Sequence, residues 1–352
     1  MRIIRAALAL LILFLFLDNA YTGEPEKYIP RSERKQEKLA TPEPGTFLKP
    51  MALTVLNRIN RVMEDSSRTR GPAPWMIKMI TPHQKMLLDT VLVYDSLEVP
   101  VRIYYPTRES LQGNQPVILF IHGGGFEYGS VDQYHLMVSK LARVCGQIIV
   151  SVEYRLAPEY PFPAALNDCY AALQWMREYG AGLGADTSRI TVMGDSAGGN
   201  LATVLTLVCR DRNTPQPYRQ ILLYPAVTFM EHQFPSMSYF LEESDRVYVL
   251  SEPFIRRVRA DYKGDTAQDR DPYISPLEAD LGRDLAPALI IAAECDPLRD
   301  GDRAYAEKLR SAGAEVHYLE YSGMIHGFMS FHMVLGDALD AMKEIRKYLE
   351  GN

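Results

Sequence analysis

Cysteine is scarce in this chain: four in 352 residues, at Cys145, Cys169, Cys209 and Cys295, with no two spaced as CxxC. That excludes a structural zinc cluster and a disulfide-dense scaffold as the organising principle, and each cysteine reads as a buried apolar residue. Positive charge is not in excess either. With 38 basic against 44 acidic residues the net charge is −6, which speaks against nucleic acid as the main partner, since phosphate binding needs concentrated Lys and Arg. Long apolar runs are almost missing. The longest, Ala6 to Leu17, has about twelve residues, well short of the ~20 that span a bilayer. What remains is ordinary globular material, 47% hydrophobic and 23% charged, long enough for one large domain with additions or for two.

The apolar run follows Met1-Arg2-Ile3-Ile4-Arg5, so residues 1–20 have the basic start and hydrophobic stretch of a secretory signal. Ala20 suits the last position before a cut, but Asp18 stands where a small neutral residue is preferred. Export, periplasmic or secreted, is the expectation, and an uncleaved membrane tether stays open. Export would place the cysteines in an oxidising compartment. Residues 21–50 are rich in Glu, Lys, Pro and Thr and read as a polar arm. Leu48, Met51, Val55, Leu56, Ile59, Val62 and Met63 then recur at three- and four-residue steps, as on the apolar face of a helix. That helix is expected to dock on a core in preference to acting as a lid, and 21–88 as a whole reads as arm plus N-terminal cap.

Beyond residue 88 the pattern is that of an α/β fold. The β-rich runs at 90–94 and 101–105 predict an antiparallel pair. Short apolar runs at 117–121, 147–152, 189–193, 220–223, 288–293 and 315–319 alternate with helical stretches at 133–144, 163–179, 197–210, 301–312 and 334–349. Strands apolar on both faces with helices between them predict a mostly parallel sheet covered on two sides. The interval 226–284 breaks the alternation and reads as a helical insertion over the carboxyl ends of the strands, where ligands bind in such sheets. No internal repeat is present.

Two glycine motifs follow strand candidates directly. Gly194-Asp195-Ser196-Ala197-Gly198 fits G-x-S-x-G in the strand–turn–helix setting that lets a serine hydroxyl project from a sharp turn. A phosphate-binding turn is the weaker alternative. His122-Gly123-Gly124-Gly125 follows the run 117–121 and can expose backbone N–H donors toward an oxyanion. The donors expected here are Gly123, Gly124 and Ala197, with His122 ordering the loop. A nucleophilic serine needs a base and an orienting carboxylate. His326, in a glycine-flanked turn after the last strand run, and Asp296, just after the run 288–293, supply them in the chain order Ser196, Asp296, His326. Asp300 is the rival acid, read instead as a helix-start charge. The other histidines have no comparable setting.

With these motifs, the chain resembles the hormone-sensitive-lipase-like family of carboxylesterases, the bacterial family IV esterases of the α/β-hydrolase superfamily. The resemblance also rests on Tyr154-Arg155-Leu156-Ala157-Pro158-Glu159, Pro161-Phe162-Pro163-Ala164-Ala165 and Asp271-Pro272-Tyr273-Ile274-Ser275-Pro276-Leu277. It implies an eight-stranded, mostly parallel sheet, a cap from the N-terminal helices and the insertion, and Ser196, Asp296 and His326 as a catalytic triad needing no metal or organic cofactor. Glu153, where Asp is commoner, and Gly301-Asp302, where the family often has Glu-Gly, depart from the pattern. The function expected is hydrolysis of small acyl or aryl esters. An amidase or deacetylase with the same triad, a lipase working at a lipid surface, and a non-catalytic ligand-binding protein are the alternatives; a homodimer stays open.

Overall fold

The computed structural model describes residues 51–56, 87–107, 113–230, 234–243, 249–265 and 267–351. The signal or anchor read at 1–20 and the arm at 21–50 lie outside them, as does the helical pattern beyond residue 56. Among the described residues no helix is long and apolar enough to cross a membrane.

Eight strands form one sheet: β1 (Leu87–Tyr94), β2 (Leu97–Tyr104), β3 (Gln115–Ile121), β4 (Ile148–Val152), β5 (Ala185–Asp195), β6 (Arg219–Leu223), β7 (Ala288–Cys295) and β8 (Val316–Ile325). Their spatial order is β1-β2-β4-β3-β5-β6-β7-β8. β1 and β2 are antiparallel across the two-residue turn Asp95-Ser96, both with positive φ (47° and 64°), as a tight hairpin requires. β2 meets β4 antiparallel, and from β4 to β8 every pairing is parallel. Every residue of β4 is buried, the mark of a strand covered on both faces.

The helices are α1 (His135–Cys145), α2 (Ala164–Tyr179), α3 (Ala197–Asp211), α4 (Pro235–Ser238), α5 (Glu252–Lys263), α6 (Arg299–Ser311) and α7 (Gly336–Glu350). α2, α3 and α6 bury Leu173, Leu201, Leu205 and Leu309 against one face of the sheet. α1 and α7 bury Leu141, Met342 and Ile345 against the other, together with Ala52, Val55 and Leu56 of the helical segment 51–56. Met51 to Leu56 therefore packs on the core, and its apolar spacing is spent on burial. α4 and α5 belong to the stretch between β6 and β7, which carries helical turns where the neighbouring crossovers carry one long helix.

β1, β2 and β5 begin at Leu87, Leu97 and Ala185, three or four residues before the runs read from the sequence, and two further boundaries differ near the site. β8 runs on to Ile325, past the apolar run at 315–319, because Tyr321, Met324 and Ile325 are buried and pair the strand to β7 as far as Cys295. α6 begins at Arg299, two residues before Gly301, so Asp300 sits inside its first turn.

Candidate active site

Sheet order brings the two glycine motifs together. The chain leaves β3 toward β4 on one side, while it leaves β5 toward β6 on the other, and β3 and β5 are neighbours. Connections that diverge in this way open a crevice at the carboxyl ends of the two strands. The register sets Ile121 beside Gly194, so His122-Gly123 and Asp195-Ser196 emerge side by side. The approach is close: a Cβ on Gly198 would lie 2.0 Å from the Ile121 carbonyl oxygen, which leaves glycine as the one residue that fits.

Ser196 has φ 53° and ψ −118°, a strained conformation for a residue with a side chain. Its N–H donates to the Leu223 carbonyl at 2.8 Å, and its carbonyl accepts from Asn200 and Ala226. The half-buried hydroxyl is thus aimed from a backbone tied to both β6 and α3. His326 follows β8 directly, and the pairing of Cys295 with Ile325 sets Asp296 beside it. Ser196 Oγ lies 2.9 Å from His326 Nε2, and His326 Nδ1 lies 2.6 Å from Asp296 Oδ2. Asp296 is fully buried, and its Oδ1 accepts the Leu298 N–H at 2.9 Å. A carboxylate can only accept, so Nδ1 carries the imidazole proton and Nε2 faces the serine as an acceptor. The Tyr224 ring meets the imidazole edge-on, centroids 5.0 Å apart, and limits its rotation. The structure thus brings Ser196, Asp296 and His326 into one hydrogen-bonded line.

The glycine loop requires a correction. The Gly123 N–H, read from the sequence as an oxyanion donor, donates to Asp195 Oδ1 at 2.8 Å. The strand register puts Asp195 beside Gly123, and a charged acceptor takes the nearest donor. Among the described residues the N–H groups of Gly124, Gly125 and Ala197 meet no acceptor, so the amides left to meet a ligand lie one residue further along the loop. Gly124 has φ +118°, and a Cβ there would lie 2.2 Å from the Tyr128 carbonyl oxygen, so that turn needs glycine. Asp195 Oδ2 accepts the Tyr134 hydroxyl at 2.9 Å. Burial raises the Asp195 carboxyl to about 6, against the pull of Tyr134 and the Gly123 amide. Tyr134, at the entry to α1, had no signal in the sequence. His122 donates from Nδ1 to the Gly123 carbonyl at 2.8 Å and stacks on Tyr154. Burial lowers it to about 4, the Gly123 carbonyl acting in the opposite sense, so it is a neutral ring that braces the loop.

The insertion reaches this loop. Phe254 and Val258 of α5 stand 3.2 and 3.0 Å from where a Gly125 Cβ would be, and Phe126 stacks on Tyr262 with centroids 3.7 Å apart. Asp300 does not reach His326. Its Oδ1 accepts from Arg299 Nε at 2.9 Å and Arg303 Nη1 at 3.2 Å, and its Oδ2 from the Ser236 N–H at 2.9 Å. Of the other histidines, His135 bonds Tyr104 and His317 bonds Glu315 at the surface; His83 and His232 lie outside the described residues. Among the described residues, no three His, Cys, Asp or Glu side chains converge so as to hold a metal ion.

Asp302 is the unusual neighbour. It is fully buried, neither carboxyl oxygen has a hydrogen-bond partner among the described residues, and burial, with Asp296, Glu320 and Asp300 nearby, pushes its carboxyl well above the usual range. Such a group holds its proton in the fold and loses it in the unfolded chain, so from about pH 4 upward it costs stability, increasingly until its folded-state pKa is passed. Asp302→Asn is expected to stabilise the protein by about 1–3 kcal/mol at neutral pH, with a larger rise in Tm at pH 8 than at pH 5. A Tm unchanged at both values would contradict this.

The comparisons with known proteins agree with the geometry. A family model described as alpha/beta hydrolase fold matches residues 118–330. Carboxylesterase NlhH of Mycobacterium tuberculosis is 40% identical over 253 residues, covering 70% of this chain and 77% of its own length. Ethyl acetate hydrolase of Pseudomonas putida is 34% identical over 257 residues, 73% of this chain and 79% of its own. Among solved structures, a hyperthermophilic esterase from the archaeon Pyrobaculum calidifontis superposes with a TM-score of 0.77 at 33% identity, over 87% of this chain and 98% of that one. On its fold, its motifs and these relatives, the chain belongs to the hormone-sensitive-lipase-like carboxylesterases of the α/β-hydrolase superfamily.

Proposed function

We propose that this carboxylic ester hydrolase is a serine esterase acting on short- to medium-chain acyl or aryl esters through an acyl-enzyme. The observation that carries the reading is the line of contacts from Ser196 Oγ to His326 Nε2 at 2.9 Å and from His326 Nδ1 to Asp296 Oδ2 at 2.6 Å. His326 takes the serine proton as Oγ attacks the acyl carbonyl, and Asp296 holds the Nδ1–H tautomer and stabilises the imidazolium. The tetrahedral oxyanion accepts from Gly124, Gly125 and Ala197, each such donor being worth about 3 kcal/mol. Gly123 serves by tethering the loop to Asp195. His326 then protonates the leaving alcohol, and water releases the acid by the same route.

Small substrates are supported by the insertion, whose α5 packs over the glycine loop, and by relatives named ethyl acetate hydrolase and arylesterase. The basic start and apolar run of residues 1–17 support export or a retained anchor for the same protein. The test is a series of p-nitrophenyl esters from C2 to C12, with a p-nitroanilide in parallel. The highest kcat/KM is expected between C2 and C6, with the anilide turned over far more slowly. Turnover of none of these compounds would sink the enzyme reading. A maximum at C10–C12 would favour a lipase, and a faster anilide would favour an amidase.

A further inference from the structure

Asp300 is too far round α6 to orient His326, yet its carboxylate and the turn before it are bonded to one buried serine of the insertion. Ser236, in α4, is fully buried and uses both its hydroxyl and its N–H on this turn, while its carbonyl accepts from Tyr239 at the end of its own helix. Its Oγ donates to the Pro297 carbonyl at 2.8 Å and accepts the Asp300 N–H at 3.2 Å, and its own N–H donates to Asp300 Oδ2 at 2.9 Å. The ring of contacts closes behind Asp296: Arg299 donates from Nε to Asp300 Oδ1 and from Nη1 to the Glu294 carbonyl at 3.1 Å, at the end of β7. Burial works against ionisation of Asp300, but Arg299, the Ser236 amide and Arg303 together hold its carboxyl below the ordinary range. Arg303 is itself paired with Glu320 of β8, and burial pushes the neighbouring Asp302 carboxyl well above its usual range.

We infer that Ser236 and Asp300 form a clasp by which the insertion holds the 296–300 turn in register with His326, so that both are positioning residues for ester hydrolysis. The inference rests on the serine-esterase reading above. The reason is geometric. Asp296 is carried by a turn whose next carbonyl, at Pro297, would be buried and unmet without Ser236, and such groups pull backbone toward other partners. A reacting pair displaced by about 1 Å can lose on the order of 100-fold in rate, so a partial loosening is expected to show in kcat. Ser236 is fully buried and Asp300 nearly so, which keeps the clasp out of the substrate's reach, so KM is expected to change little.

The test uses the full chain with Asp300→Asn, Ser236→Ala and the double variant, each compared per active site titrated with diethyl p-nitrophenyl phosphate. Titration counts only folded, competent sites, and Ser236→Ala, which deletes one hydroxyl, covers the case in which Asp300→Asn folds poorly. Each single variant is expected to lose about 10-fold in kcat on p-nitrophenyl butyrate, with KM within about twofold. The double variant is expected to lose little more than the worse single one, since both break one contact set. In NMR spectra, the downfield Nδ1 proton of His326 is expected to shift or broaden in the variants, which a loss of global stability alone would not produce. Unchanged kcat per titrated site, an effect confined to KM, or an unmoved Nδ1 proton would overturn the clasp. A wild type with no ester turnover would instead overturn the esterase reading.

Discussion

Ser196→Ala is expected to lower kcat on p-nitrophenyl butyrate by roughly 10⁵-fold or more, with the fold intact by circular dichroism and an unchanged Tm within about 2 °C. The size follows from what the hydroxyl does. In the proposed mechanism it forms the covalent bond that splits hydrolysis into two easier steps, and among the described residues it is the hydroxyl bonded to His326 Nε2. The oxyanion donors survive the substitution, so a residue of rate above the uncatalysed reaction is expected to remain, on the order of 10³-fold. The side chain is small and half-buried and makes one hydrogen bond, to His326, which is why stability hardly changes. A loss of tenfold or less would remove Ser196 from the nucleophile's place.

Asp296→Asn comes next, with an expected fall in kcat of about 10⁴-fold. Asparagine fills the same volume, but its amide donates where the carboxylate accepts. His326 then receives a hydrogen bond at Nδ1, the imidazole proton moves to Nε2, and the ring can no longer take the proton of Ser196. The Leu298 N–H, now 2.9 Å from Asp296 Oδ1, can still be met by the amide oxygen, so the turn survives. Asp300 cannot stand in for the lost charge, because Arg299, Arg303 and Ser236 occupy both of its oxygens. The two acids are therefore expected to separate by about 10³-fold: some 10⁴-fold at Asp296 against 10-fold at Asp300. A larger loss at Asp300 would reverse the assignment.

How far the site could be read in advance differs residue by residue. Ser196 is legible because its requirements are local: a strand, a glycine-flanked turn and a helix, all within one short stretch. Asp296 and His326 are legible as residues that follow strand runs, and chain order pairs them. Which glycine donates to what is not legible. Gly123 and Asp195 are 72 residues apart, and their contact depends on the lateral pairing of Ile121 with Gly194. A shift of one residue in that pairing would exchange the roles of neighbouring amides, and nothing in either motif states the pairing. Tyr134 and Ser236 are illegible for the same reason. One is an ordinary helix-entry tyrosine and the other an ordinary serine of the insertion until the fold sets them beside carboxylates.

Apolar runs of strand length, helical periodicity between them and glycines at two strand ends determined by themselves that this is an α/β protein with a serine poised on a sharp turn. These signals are short-range, since the chain's stereochemistry and the burial of each element's apolar face impose them within a few residues. The tertiary structure alone decided that Gly123 tethers while, among the described residues, Gly124 and Gly125 donate to no acceptor, that Asp302 is buried with no hydrogen-bond partner among them, and that Asp300 faces Ser236 instead of His326. Each of those outcomes is settled by which strand lies beside which and by what the insertion covers, and such contacts acquire their energy only once distant segments have closed on one another and expelled the water between them.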